Sequence, residues 1–155
     1  GHIPAGKKDF CFNTVDIMPT LLSLMGLKYP EEVEGEDLSQ CLTSDADNTN
    51  PSLMMGTGPT AIFGIGKEWR AVRDKRFTYA VYRIDKSEYL FDNQSDPYQV
   101  RNLAHNPEFK EQKARLKAYM YEKMKEIGDD FDGNLHYISR WVKKRKIVRT
   151  ATLKQ

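Results

Sequence analysis

The chain has 155 residues, enough for one domain with its own hydrophobic core. Its 24 Lys and Arg residues nearly balance 22 Asp and Glu residues, so the net charge of +2 gives no reason to expect a nucleic-acid or membrane partner. No apolar run approaches the roughly 20 residues of a membrane-spanning helix. The N-terminus also lacks a charged-then-apolar signal pattern. The two cysteines, Cys11 and Cys41, show no metal-binding spacing, and the sequence leaves open whether they pair or stay free.

The first predicted element is an apolar helix over residues 15–26. Its apolar side chains recur at helical spacing, and they are Ile17, Met18, Leu21, Leu22, Leu24 and Met25. Thr14 or Asp16 can cap the start of the helix, and Gly26 is a typical residue at a helix C-terminus. Because this spacing is that of a buried helical face and the apolar residues cover most of the circumference, we expect cover on more than one side.

Residues 28–52 are predicted to be mostly loop, because Pro30, an acidic stretch and Asn50-Pro51 interrupt any regular pattern. One short helical turn is expected near Leu38. The sequence Ala-Ile-Phe-Gly-Ile at residues 61–65 is interpreted as a fourth strand or as a loop bordering the sheet. The glycines just before it do not form a phosphate-binding loop, because no helix and no Gly-Lys-Ser/Thr follow.

Residues 68–92 predict an antiparallel three-stranded meander. Three short runs rich in Val, Tyr, Phe and Trp, over residues 68–73, 77–83 and 88–92, are divided by polar turns. In the middle run Phe77, Tyr79 and Val81 point to one face, and the alternate residues point to the other. Both faces are partly apolar, so the sheet needs a second layer to be stable.

A long helix is predicted over residues 107–127. Asn106 and Pro107 are typical of a helix start, and Gly128 is typical of a helix end. Its apolar stripe consists of Phe109, Leu116, Met120, Met124 and Ile127. We expect this helix to lie across the sheet, which gives an α+β fold: a small antiparallel sheet of three to four strands packed against a long C-terminal helix and preceded by the apolar N-terminal helix.

Two stretches of the sequence resemble type I sulfatases, of the alkaline phosphatase-like superfamily. Residues 14–26 (TVDIMPTLLSLMG), followed by Glu34–Leu38, resemble the pattern after the catalytic half of these enzymes, and Ile3–Gly6 fits the loop before it. Residues 68–73, 89–92 and 96–104 are similar to the C-terminal subdomain of the family, where antiparallel strands end in an Asp-Pro turn before a long helix. The resemblance covers about residues 3–127.

The resemblance implies a chemistry whose residues this chain lacks. Sulfatases hydrolyse sulfate esters through a formylglycine made in a Cys/Ser-x-Pro/Ala-x-Arg motif, beside a calcium ion. Cys11 and Cys41 both lack the Pro/Ala and the Arg, and Asp92-Asn93 is interpreted as a strand-end turn rather than the metal-binding Asp-Asn pair. We therefore expect no catalytic and no metal-binding residue here, and no cofactor. Calcium and formylglycine belong to a full-length parent, which is expected to be secreted, periplasmic or lysosomal.

This interpretation divides the chain into three parts. Residues 1–52 are the tail end of the catalytic domain, residues 53–130 are the C-terminal subdomain, and residues 131–155 are an extension with a basic tail. The fragment alone is predicted to be inactive, to pack on the missing catalytic domain of the same polypeptide, and to self-associate when that domain is absent. The parent would act on a sulfated small molecule or glycan.

Trp69 and Arg70 are the candidate substrate-binding residues. In the intact family the C-terminal subdomain closes one side of the substrate pocket, and an aromatic ring with an Arg could hold a sugar and a sulfate. Alternatively, Trp69 packs under the long helix and Arg70 is a solvated strand residue. A different function also stays open, in which Lys143–Lys146 make the chain a stand-alone interaction module for an acidic partner.

Overall fold

The computed structural model describes residues 3–31, 33–56 and 68–133, together with the backbone of residues 142–143 and 146–147. Three helices are described: α1 (Ile17–Leu24), α2 (Ser39–Thr43) and α3 (Lys110–Glu126). The strands are β1 (Ser52–Gly56), β2 (Trp69–Arg73), β3 (Phe77–Tyr82), β4 (Glu88–Asp92), β5 (Val142–Lys143) and β6 (Lys146–Ile147). None of the helices in this part of the chain has the length and hydropathy to cross a membrane.

The first four strands form one antiparallel sheet in the order β1-β2-β3-β4, and β5 pairs with β6 in a second sheet. Trp69 of β2 lies opposite Tyr82 of β3, and Thr78 lies opposite Phe91 of β4. The predicted meander is thus confirmed to within a residue at each strand end. Successive side chains alternate between an inner face, which contacts α3, and an outer face.

The hydrophobic core lies between the inner face and α3. The predicted α+β fold is confirmed, and Leu116, Met120 and Met124 of α3 are buried as predicted. They pack on Val72, Phe77, Tyr79, Val81 and Leu90. Each of the large residues in this set is at most 6% exposed, so the α3 stripe and the inner face supply a closed core within the chain.

The ends of α3 follow the predicted signals. The Asn106 side chain accepts a hydrogen bond from the backbone N–H of Glu108, and a short 3-10 turn over Pro107–Phe109 leads into the helix. At the other end Gly128 has φ +68°, and the N–H groups of Gly128 and Asp129 donate to the carbonyls of Lys125 and Met124. This is a Schellman motif, which needs a left-handed residue where glycine is strain-free.

The segment after the sheet covers the β4 edge. Leu103 N–H donates to the carbonyl of Leu90 at 2.7 Å. The Asn102 side chain accepts from the N–H groups of Leu90 and Ala104 and donates to the carbonyl of Glu88, each at 3.0 Å. One amide side chain therefore takes the place of a neighbouring strand and removes a free edge.

Strand β1 was not predicted. Residues up to 52 were expected to be loop, and the candidate fourth strand at residues 61–65 lies outside the described residues. The run Ser-Leu-Met-Met-Gly contains no β-branched and no aromatic residue, so its strand conformation comes from pairing with β2 rather than from local propensity. The side chains of the basic tail, Lys143–Lys146, also lie outside the described part.

Helix α1 differs from the prediction in its cap. A 3-10 turn over Thr14–Asp16 precedes it, and Asn13 rather than Thr14 or Asp16 caps that turn. The apolar row, whose cover we expect from the missing catalytic domain, is exposed in this chain: Met18 is 48%, Leu21 53% and Met25 68% accessible. The buried residues of α1 are Pro19 and Thr20, and the Thr20 hydroxyl is bonded to the backbone of Leu38.

A polar contact joins the start of α1 to the loop after it. The buried Asp16 carboxylate accepts from the N–H groups of Asn13 at 2.8 Å and Glu36 at 2.9 Å. Thr20 Oγ1 accepts from the N–H of Leu38 at 3.0 Å. A Cβ atom on Gly35 would overlap the carbonyl of Val15, so only glycine fits this close approach.

Candidate functional site

The outer face of the sheet carries a trough that follows from the strand register. Met54, Ala71, Ala80 and Tyr89 lie directly opposite one another across the four strands. The two alanine methyl groups form a low floor, because larger side chains stand on either side of them. The trough has a volume of about 490 Å³.

Four aromatic side chains line this trough: Trp69, Tyr82, Tyr89 and Phe91. The rings of Tyr82 and Tyr89 meet edge to face with centroids 5.8 Å apart, and Tyr89 stacks on Phe91 at 6.2 Å. The Trp69 indole lies against Gly56 of β1, at a position where a Cβ atom would overlap the ring. All four rings are half-buried, so the outer face is apolar but not closed.

One end of the trough is polar. Gln99 has φ +55°, and its amide nitrogen donates to Asn93 Oδ1 at 2.8 Å and to Thr78 Oγ1 at 3.3 Å. The Asn93 amide nitrogen donates to Thr78 Oγ1 and to the carbonyl of Arg76, both at 2.9 Å. Asn93 is the acceptor residue of an Asn-Gln-Ser glycosylation sequon, and a glycan on its amide nitrogen would remove one of these two bonds, because the substituted nitrogen keeps a single N–H.

The structure places Trp69 and Arg70 on opposite faces of β2. Trp69 is on the outer face, so the alternative in which it packs under the long helix is wrong. Arg70 is on the inner face and 1% exposed, so it is not a solvated strand residue either. Its guanidinium forms a two-bond ion pair with the Asp129 carboxylate, one bond of which is 2.8 Å long. The two candidate residues therefore do not converge on one site.

Arg73 is the cation that shares the outer face with Trp69. It is exposed, lines the trough, and lies four residues along β2 from Trp69, a distance of about 13 Å along the strand. The sequence could have shown that Trp69 and Arg73 share a face, because side chains alternate along a strand and residues 69, 71 and 73 lie on the same side. Sequence reasoning missed it by pairing neighbours in sequence rather than neighbours on a face.

A charged cluster closes the inner face. The Glu88 carboxylate accepts from Tyr79 Oη at 2.7 Å, Lys117 Nζ at 2.7 Å and Lys113 Nζ at 3.1 Å. The hydrogen bonds from Lys117 and Tyr79 lower the pKa of Glu88 from 4.5 to about 2. Burial, together with Glu88, raises the pKa of the Tyr79 hydroxyl. This cluster is a structural brace between β3, β4 and α3.

Asp92 has a structural role as well. It accepts from the Arg76 guanidinium at 2.8 Å and from the N–H of Gln94 at 3.1 Å. Arg76 is the main cause that lowers the pKa of Asp92 from 3.8 to about 2. The predicted strand-end turn at Asp92-Asn93 is confirmed, because residues 93–95 form a turn directly after β4.

The acidic, histidine and cysteine side chains of the described residues are not gathered into one cluster. No three His, Cys, Asp or Glu side chains lie close enough together to hold a metal ion among residues 3–31, 33–56 and 68–133. Both cysteines are free thiols, which answers the pairing question. Cys11 Sγ donates to the carbonyl of Arg73 at 3.2 Å, and burial raises the pKa of its thiol, which works against a nucleophilic thiolate.

Comparison with known proteins relates most of the chain to one family. The family model described as N-sulphoglucosamine sulphohydrolase, C-terminal, matches residues 2–126. An ulvan-active sulfatase of Formosa agariphila is 38% identical over 130 residues, which cover 83% of this chain and 25% of that protein. The chain thus spans about a quarter of the length of this relative.

Solved structures show the same fold. A 2-O GAG sulfatase superimposes with a TM-score of 0.65 at 24% identity, over 78% of this chain and 27% of that chain. A phosphonate monoester hydrolase of Silicibacter pomeroyi superimposes with a TM-score of 0.54 at 27% identity, over 72% of this chain and 24% of that chain.

Glu88 and Asp92 predict a loss of stability in acid. Because both folded-state pKa values lie near 2, below 4.5 and 3.8, the unfolded chain binds protons first as the pH falls. The stabilisation is present above the unfolded values and is lost as the pH falls toward about 2. Urea denaturation across this range should show the decline. Glu88→Gln should lower the free energy of unfolding at neutral pH by about 1–3 kcal/mol and flatten the acid decline.

The matched control is Glu111→Gln on an exposed position of α3, which should keep the parental curve. A Glu88→Gln variant that retains the full parental acid dependence would contradict this assignment.

Proposed function

The chain belongs to the N-sulphoglucosamine sulphohydrolase C-terminal family, and we propose that it serves as the accessory C-terminal subdomain of a sulfatase. One observation carries the proposal. Most of this chain matches sulfatases, and the match covers only about a quarter of the length of the ulvan-active sulfatase. The parent is a sulfuric ester hydrolase whose formylglycine and calcium lie on the catalytic domain. Its substrate is a sulfated small molecule or glycan, and its site of action is outside the cytoplasm, as the family resemblance implies.

We assign the exposed row of α1 to the contact with that catalytic domain. Ile17, Met18, Leu21, Met25 and Leu27 are all between 43% and 68% exposed. These five large apolar side chains form a patch over residues 17–27. Soluble proteins usually cover a patch of this kind. The core cluster that the described residues form does not include them, which leaves this row available to the catalytic domain.

The outer face of the sheet is assigned to one wall of the substrate pocket. Trp69 supplies an aromatic ring for a sugar, and Arg73, on the same face, supplies a cation for a sulfate. Arg70 acts on this wall only indirectly, because its guanidinium is buried against Asp129. Trp69 thus keeps the substrate-binding role predicted from the sequence. The anion-binding role moves from Arg70 to Arg73, which shares the outer face with Trp69.

An activity assay tests this function. The purified chain alone should neither hydrolyse nitrophenyl sulfate nor bind calcium specifically, whereas the intact polypeptide that carries it should release sulfate. In the intact enzyme Trp69→Ala should raise KM about tenfold with kcat nearly unchanged, the equivalent of ~1.4 kcal/mol of substrate binding.

Ile84→Ala, in the exposed turn between β3 and β4, is the control and should leave both constants unchanged. Turnover by the isolated chain would overturn the accessory role. Release of phosphonate but not sulfate by the intact polypeptide would assign the parent to a related hydrolase class instead.

Self-association of the isolated chain tests the assignment of α1. Light scattering should show a molecular mass that rises with concentration, because the apolar row is buried only between copies. The double change Leu21→Lys and Met25→Lys should restore a monomer, while Ile84→Lys, which also charges a 60% exposed apolar residue, should not. A clean monomer of the unaltered chain at high concentration would count against this assignment.

A further inference from the structure

Residues 127–133 make a tight turn beyond the part of the chain that the family model matches. After Gly128, Phe131 adopts φ +56°, a left-handed conformation that is unfavourable for a bulky side chain. Asp129 Oδ1 accepts from the N–H of Phe131 at 2.9 Å, and the Phe131 ring is 8% exposed within the core. A strained backbone persists only where its surroundings hold it, so this turn is fixed rather than a loose tail.

The turn holds β2 on one side of Trp69. The Asp129 carboxylate binds two nitrogens of the Arg70 guanidinium, and the two side chains are 7% and 1% exposed. Arg70 Nη1 also donates to the carbonyl of Trp69 at 3.1 Å. The Phe131 ring lies 4.7 Å from the Arg70 guanidinium carbon. A planar guanidinium held by a carboxylate and a ring has little freedom, and neither has the backbone attached to it.

A second ion pair, with its carboxylate buried and its guanidinium half-buried, holds the other side of Trp69. Arg83 Nε donates to Glu68 Oε2 at 3.1 Å, and the Arg83 N–H donates to the Glu68 carbonyl at 2.9 Å. Glu68 is 2% exposed. A Cβ atom on Gly133 would lie 3.1 Å from Arg83 and 3.3 Å from Glu68, so the end of the turn packs directly on this pair.

We propose that residues 127–133 form a clamp that positions Trp69 by fixing its two neighbours, Glu68 and Arg70, on the inner face of the sheet. Trp69 itself then projects from the outer face at a defined point, against Gly56. Asp129 and Phe131 are positioning residues, since they touch neither the outer face nor the trough. The positioning of Trp69 does not depend on the proposed function. Its consequence does rest on that function: a segment outside the family match would set one wall of the substrate pocket.

Trp69 fluorescence tests the clamp. The chain has two tryptophans, so in a Trp141→Phe background the emission reports Trp69 alone. Asp129→Asn should shift this emission to longer wavelength and increase its quenching by acrylamide, and Asp129→Glu should restore much of the parental signal. Asp74→Asn is the matched control, because it breaks the Asp74–Arg115 ion pair just beyond the far end of β2 and should leave the emission unchanged.

Hydrogen exchange gives a second reading in the same proteins. In Asp129→Asn the amides of Trp69 and Arg70 should exchange about tenfold faster, the equivalent of ~1.4 kcal/mol, while those of Leu116 and Met120 keep their parental rates. A folded Asp129→Asn with parental emission and exchange would overturn the clamp, as would an equal shift in the control.

If Asp129→Asn fails to fold, Trp69 emission in Phe131→Leu and amide exchange in the unaltered chain test the clamp instead. Phe131→Leu keeps an apolar side chain but removes the ring from Arg70, so a folded variant with unchanged Trp69 emission contradicts the clamp. In the unaltered chain the amides of Trp69 and Phe131 should open together, and separate free energies of opening contradict it too. None of these readings involves substrate, so their failure is distinct from a failure of the proposed sulfatase role.

Discussion

The packing of α3 on the inner face of the sheet is the contact on which the rest of the structure depends. Leu116, Met120 and Met124 meet the alternate residues of β2, β3 and β4, and this closes one core within the chain. Because side chains alternate along a strand, using one face for the core commits every neighbouring residue to the other face. The trough and its four aromatic rings lie on the outer face because the alternate residues of the same strands fill the core.

Ion pairs at the two ends of this core fix the positions of the elements around it. Glu88 joins β4 to α3 through two lysines, and Arg70 joins β2 to the turn after α3 through Asp129. The Arg70–Asp129 pair is buried, and breaking it would leave an uncompensated charge, so it specifies one arrangement of the turn on β2. The inner face is therefore closed by α3, while α1 and the outer face expose apolar surface among the described residues.

Much of the fold could be read from the sequence, since the signals that decide it are local. The alternation in β3, Asn106-Pro107 before α3 and Gly128 after it each act within a few residues. Strand β1 could not be predicted, because Ser52–Gly56 has no intrinsic strand preference and becomes a strand through its partner. The partner of Arg70 is 59 residues away in sequence, and no local pattern reveals it. The exposure of α1 among the described residues likewise depends on how distant segments pack, which no local pattern contains.

The central claim is that α1 is an interface to a catalytic domain, and methionine oxidation tests it most directly. Met18 and Met25 are 48% and 68% exposed in this chain, so peroxide should oxidise both readily in the isolated protein at concentrations low enough to keep it monomeric. In the intact polypeptide that carries the chain, the account predicts strong protection of both residues, while Met120 and Met124 resist oxidation in either form. Equal oxidation of Met18 and Met25 in the isolated and intact proteins would contradict it.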